Sequence, residues 1–142
     1  MTFFVDANVL VYAATEGESQ ASCLQILDAV ARGVADGRTS PAVLEEVWYL
    51  EHSGRARPLE GLTERAYTVF TPLLPVTDEA FRLALSIRKR ALGPADRLHV
   101  GTCRSSGIET IVSADAAYRG LRGLRRVDPL DPGAIDRLLA TP

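Results

Sequence analysis

Eighteen carboxylates occur among the 142 residues, and an acid on the surface needs no explanation because water solvates it. Four stand where the apolar pattern points inward or where a strand should end: Asp6, Glu46, Asp96 and Asp115. Counting about 100° per residue from Val43, Glu46 falls at about 300°, beside Leu50 at about 340° and Val47 at about 40°. Its neighbour Glu45 falls at about 200° and faces solvent. From Pro94 the same count puts Asp96 at about 200°, between Cys103 at about 180° and Val100 at about 240°, with His99 alongside at about 140°. Taken singly, Asp96 reads as a first-turn acid favoured by the helix dipole, and Asp6 as a turn residue closing a strand.

Convergence of all four changes the physics. Two carboxylates about 4 Å apart at an effective dielectric of about 20 repel by roughly 4 kcal/mol, so a fold that gathers four acids requires a cation. Oxygen donors without His or Cys select Mg2+ or Mn2+, ions that keep several waters and bind through carboxylates together with substrate phosphate. The expected chemistry is metal-assisted hydrolysis of a phosphodiester. One ion lowers the pKa of an attacking water and an ion stabilises the leaving 3′-oxygen, which leaves 5′-phosphate and 3′-hydroxyl ends. Two His and no Cys-x-x-Cys exclude a structural zinc site of ordinary spacing.

The elements that must position these acids read as strands alternating with helices. An apolar run ending at Val5 is closed by Asp6, and a helix follows from Ala7 to Ala14. Ser19 caps a helix from about Gln20 to Gly33, ended by an Asp36-Gly37 turn. Arg38 to Ser40 reads as a brief strand entering a helix from Pro41 to about His52. Pro58 opens a helix through Phe70, Pro72 to Pro75 is extended, and Thr77 begins a helix reaching about Arg90. A helix from Pro94 to about Ser106 stops at Gly107, and Glu109 to Ser113 forms a strand that Asp115 follows. A short helix from Ala116, a strand at Arg126 to Asp128 and a helix from Pro132 to Ala140 complete the chain. This alternation implies one three-layer α/β domain over residues 1–142, with a central parallel sheet of four to five short strands flanked by helices. In such sheets ligands bind beyond the carboxyl ends of the strands, where Asp6 and Asp115 both fall.

Bulk properties narrow the class. Apolar residues make up 46% and charged residues 24%, which suits a buried core in a single globular domain. No apolar stretch approaches the roughly 18 residues of a membrane span, and Met1 leads directly into the first strand without a basic leader, so a cytosolic protein without membrane contact is expected. Cys23 and Cys103 read as reduced core residues. The net charge of −2 conceals an acidic first half and a basic second half. Residues 1–71 carry 5 basic and 10 acidic side chains, residues 72–142 carry 11 and 8. Arg119, Arg122, Arg125 and Arg126, with Arg88, Lys89 and Arg90, suit a phosphate backbone or simply form a solvated surface.

Four blocks resemble the PIN-domain proteins, especially the VapC-type toxins of bacterial toxin–antitoxin pairs. Phe4-Val5-Asp6-Ala7-Asn8-Val9-Leu10 is similar to the family's opening, and Thr39 to Val47 to its second acidic motif. Gly93 to Val100 is similar to the third, and Ile111-Val112-Ser113-Ala114-Asp115 to the fourth. The resemblance covers essentially the whole chain. It implies Asp6, Glu46, Asp96 and Asp115 as catalytic metal-site acids with Asn8 and Ser113 as polar groups beside them. It also implies a PIN-like fold, Mg2+ (or Mn2+) as cofactor, RNA as substrate, a homodimer, and a cognate antitoxin whose peptide lies near the acids.

Two rivals stay open. A haloacid-dehalogenase-like phosphatase needs a second Asp two positions after the first, where this chain has Asn8. A non-catalytic PIN-fold module that binds RNA or protein is the alternative to an endoribonuclease. Trp48 and Tyr49, at about 140° and about 240°, lie outside the inward stripe of their helix. They form either a partner surface or a seam buried under the helix from Pro58 to Phe70.

Overall fold

The computed structural model describes residues 1–55 and 57–142. The first strand, β1 (Thr2–Val5), is followed by α1 (Ala7–Ala14) and α2 (Gln20–Ala31). Then come β2 (Asp36–Arg38), α3 (Pro41–His52), a 3-10 turn at Arg57–Leu59, α4 (Leu62–Phe70) and α5 (Asp78–Leu85). The chain ends with α6 (Pro94–Ser105), β3 (Thr110–Val112), a 3-10 turn at Ala116–Tyr118, β4 (Arg125–Val127) and α7 (Pro132–Ala140).

The four strands form one parallel sheet in the order β2-β1-β3-β4. Phe4 pairs with Arg38 on one side and Ile111 on the other, and Val112 pairs with Val127. Consecutive residues Phe3, Phe4 and Val5 are all buried, as are Thr110, Ile111 and Val112. Burial at every position, rather than at alternate ones, means that both faces of the sheet are covered, which makes this a three-layer α/β fold. Cys23 and Cys103 are free thiols in this core, and burial pushes the Cys23 thiol up to about 11.

Several boundaries depart from the sequence pattern for identifiable reasons. The second strand is Asp36–Arg38, not Arg38 to Ser40. Gly37 belongs in it because a Cβ there would lie 2.5 Å from Val30 and 2.9 Å from Phe3. Thr39 and Ser40 spend their side chains locally: the Thr39 hydroxyl donates to the Val5 carbonyl at 2.9 Å, and Ser40 caps α3 by accepting from the Val43 amide. The helix expected from Pro58 starts instead at Leu62, after Gly61 in the left-handed region at φ 76°. Gly61 has no side chain to cap that helix, so Glu51 of α3 does so across the gap, accepting from the Gly61 and Thr63 amides at 2.8 and 3.1 Å. The helix expected to reach Arg90 ends at Leu85, where the Ser86 hydroxyl turns back onto the Leu83 carbonyl. The last strand begins one residue earlier than expected, at Arg125.

The helix that carries Asp96 is held unusually close to its neighbour. A Cβ on Gly101 of α6 would stand 2.1 Å from the carbonyl oxygen of Ala80 in α5, a distance no side chain tolerates. Glycine therefore sets the α5–α6 approach and, with it, the height of α6 over the sheet edge.

Candidate functional site

Asp6 ends β1 and doubles as the N-cap of α1, its carboxylate accepting from the Ala7 amide at 2.8 Å. Glu46 projects from the middle of α3, Asp96 from the first turn of α6, and Asp115 from the turn after β3. Asp6 and Asp115 thus both follow the carboxyl ends of neighbouring parallel strands, β1 and β3.

Asp6 is the anchor of the group. It is buried, and its second oxygen accepts from the Ser113 hydroxyl at 2.7 Å and the Asn8 amide at 3.3 Å. Asn8 also donates to Ser113 at 2.9 Å and accepts from the Ala114 amide at 3.1 Å, while Ser113 accepts from the Asp115 amide at 3.1 Å. Both residues expected beside the acids are therefore wired into the Asp6 carboxylate. Asn8 stands where a phosphatase would need its second acid, and its amide is already committed to these partners.

Glu46 approaches from the opposite side through an unexpected intermediary. His99 Nε2 lies 2.9 Å from Glu46 Oε1 and 3.9 Å from Asp6 Oδ1. One atom each of Asp6, Glu46 and His99 falls within 4.8 Å of the others, a spacing that one cation can span. Oxygen donors alone were expected here, and the imidazole stands beside two of them. Asp96 accepts from the Tyr118 hydroxyl at 3.0 Å, and Asp115, which is exposed, accepts from the Ala117 amide at 2.9 Å.

The electrostatics of this edge are unfavourable without a counter-charge. Burial raises Asp6 above the usual carboxylate range, an effect that His99 and the Ser113 and Ala7 hydrogen bonds only partly offset. Asp96 is raised as well, by burial and by the charges of Asp115 and Glu46. Burial works against a charged His99, but the Glu46 hydrogen bond and the charges of Asp6 and Asp96 outweigh it and raise its pKa. A divalent cation would relieve each of these shifts, and the donor set suits one.

Comparison with known proteins places the chain in a family. Residues 3–124 fit the profile of the PIN domain. This chain belongs to the PIN domain family. No curated protein matches it. Among solved structures, it is similar in fold to a chain of VapBC2 from Rickettsia felis, crystallised bound to a DNA fragment from its promoter. The TM-score is 0.71 at 15% identity, covering 90% of this chain and 98% of that one.

Within this PIN domain, Glu45 and Glu46 have separate fates. Glu45 is exposed and lines a groove of about 560 Å³ between α3 and α4, together with Trp48, Glu64 and Tyr67. Trp48 and Tyr49 are 63% and 69% exposed, so α4 does not bury them. Arg97 points its guanidinium at the Leu92 and Lys89 carbonyls, at 2.7 and 3.1 Å, and so braces the turn before α6.

Three supporting residues escaped sequence reasoning. His99 had a signal, its place on the inward side of α6. Tyr118, buried in the PIN site's floor, followed Asp115 without any periodicity to mark it. Arg126 read as one of a basic run; its side chain is only 8% exposed and grips the Ser113 and Ala114 carbonyls, both at 2.9 Å, while pairing with Asp128 at 3.0 Å.

Proposed function

We propose that this PIN domain, one functional unit over residues 1–142, is a metal-dependent endoribonuclease of the VapC type and the toxin of a type II toxin–antitoxin pair. The observation that carries the reading is the meeting of Asp6, Glu46 and His99 within 4.8 Å, with Asp96 close enough to feel Glu46 and Asp115. Asp6, Glu46, Asp96 and Asp115 would hold Mg2+ or Mn2+. Bound there, the ion supplies Lewis acidity, lowering the pKa of water and offsetting charge on the phosphate and leaving oxygen.

The remaining work falls to the chain itself. Ser113 and Asn8 keep Asp6 aimed at the pocket, Tyr118 holds Asp96, and Arg126 fixes the turn that presents Asp115. Lys89 donates to the Arg119 carbonyl, so the turn bearing Arg88, Lys89 and Arg90 abuts the one bearing Arg119 and Arg122. That basic surface beside Asp115 supports a phosphate backbone as ligand, with RNA as the substrate class. The groove under Trp48 and Tyr67, rimmed by Glu45 and Glu64, supports a protein partner with apolar and basic side chains, the expected antitoxin. Phe81 and Leu85, exposed on one face of α5, support a homodimer contact.

Cleavage of structured RNA by the purified chain, with Mg2+ or Mn2+ and with a chelator, tests the proposal. Chelation should stop cleavage, and D6N and D96N should each abolish it while circular dichroism shows the fold intact. Equal activity in both variants would overturn it; RNA binding without cleavage would favour the non-catalytic PIN module.

A further inference from the structure

The four acids are not held alike. Asp6, Asp96 and Asp115 are short side chains with donors from Ser113, Tyr118 and the Ala117 amide respectively. Glu46 has a longer side chain with one more rotatable bond, 32% exposed, and among the described residues its one hydrogen-bond partner is His99. The imidazole is itself locked: it is fully buried, its ring centroid lies 5.8 Å from that of Phe4 in β1, and Gly101 fixes the helix that carries it.

Which nitrogen bears the proton decides what His99 does. Nδ1 is buried and has no hydrogen-bond partner among the described residues. A proton there would be a buried donor without an acceptor, at a cost of about 1–3 kcal/mol, and would turn a bare Nε2 lone pair toward the Glu46 oxygen. A proton on Nε2 instead satisfies Glu46 and leaves only an unfilled acceptor, the cheaper omission. Metal-ligating histidines donate their other N–H to a carboxylate, carbonyl or water; among the described residues no side chain or carbonyl accepts from His99 Nδ1.

We propose that His99 is a positioning residue: with its proton on Nε2 it aims the Glu46 carboxylate at Asp6, and it does not itself ligate the cation. The inference rests on the reading of Asp6 and Glu46 as metal-holding acids. It implies that the pocket, despite its imidazole, keeps an all-oxygen donor set and the hard-ion preference that goes with one.

Calorimetric titration of the full chain with Mn2+ and Mg2+, for wild type, H99Q, H99N and H99M, tests this, together with crystal structures of H99Q and H99M. The glutamine amide reaches about as far as Nε2 and can donate, whereas asparagine falls short and methionine has no donor. H99M and H99N should weaken both ions by the same factor, about tenfold or more, and H99Q should stay within about threefold of wild type. In crystals, Glu46 should swing away from Asp6 in H99M and remain about 3 Å from the amide in H99Q. Equal losses in H99Q and H99M, with Mn2+ hit harder than Mg2+, would make His99 a ligand and overturn the proposal. Wild-type affinity with an unmoved Glu46 in H99M would overturn it by making His99 a core filler. If H99M does not fold, H99N takes its place in both measurements. Wild type that binds neither ion would remove the metal centre from the proposed function, and the Glu46 position in the crystals would then decide the role of His99 alone.

Discussion

The hydroxyl of Ser113 donates to the Asp6 carboxylate at 2.7 Å across 107 positions of chain, and the same oxygen accepts the Asp115 amide at 3.1 Å. One atom thus ties the first acid of the pocket to the turn that carries the last.

Removing that atom should be felt at both ends. S113A leaves the Asn8 amide and the Asp115 N–H short of an acceptor, and is expected to cost about 1–3 kcal/mol of stability and to slow cleavage. Urea unfolding with a parallel RNA assay measures both. A loss under about 0.5 kcal/mol with full activity would mean that the network is ornamental.

Adjacent glutamates should separate cleanly. E46Q removes a charge from the pocket and should lower the cleavage rate about 100-fold or more, the scale seen when one preorganised group is lost. E45Q alters an exposed groove side chain and should stay within about twofold of wild type. Initial rates at saturating Mn2+ decide it, and reversed effects would place the wrong acid in the site.

Metal-free protein should lose stability as the solution becomes more basic. Asp6 and Asp96 have folded pKa values above the ordinary carboxylate range, so the folded chain binds those protons more tightly than the unfolded chain. Their penalty is absent below the ordinary range and complete once pH exceeds the raised values. His99, also raised, adds stability that is full below its ordinary pKa and lost above its folded one. The directions agree, so thermal midpoints in chelator should fall between about pH 5 and about pH 8. D96N keeps an acceptor for Tyr118 and sheds the repulsion; in chelator near neutral pH it should gain about 0.5–2 kcal/mol, a common yield of one stabilising change. Mn2+ should erase that advantage by stabilising wild type. A flat pH profile would contradict the strained, metal-seeking pocket.

Gly101 offers a test far from any acid. G101A forces a methyl to within 2.1 Å of the Ala80 carbonyl oxygen, so α5 and α6 must part. A loss of about 1–3 kcal/mol is expected, read as a lower urea midpoint at unchanged slope. Because α6 carries Asp96 and His99, cleavage should fall as well. An unaffected midpoint would show that the two helices are free to separate.

Much of this molecule was legible before any coordinates. The helices at Ala7–Ala14, Pro41–His52 and Pro132–Ala140 match their expected bounds, because capping residues and prolines mark those ends locally. The stripe on α3 separated Glu46 from Glu45 for the same reason: helical period alone decides it. What was illegible depends on distant partners. Asp36–Arg38 became a strand because Thr2 to Phe4 lay ready to pair with it, and α4 waited for Leu62 because its cap comes from Glu51. His99 drew notice only as a stripe residue, since nothing local says that a glutamate 53 positions earlier will face it. Tyr118 and Arg126 were opaque for the same cause.

The sheet order has a temporal side. Central β1 precedes the other three strands in the chain, yet its partner β3 and the helix bearing Asp96 and His99 follow only after residue 93. During synthesis from the N-terminus, Asp6 and Glu46 emerge long before the residues that orient them. A chain made only as far as α3 therefore holds two of the acids but none of their distant tethers, and the pocket comes into being only once α6 and the turn after β3 have followed.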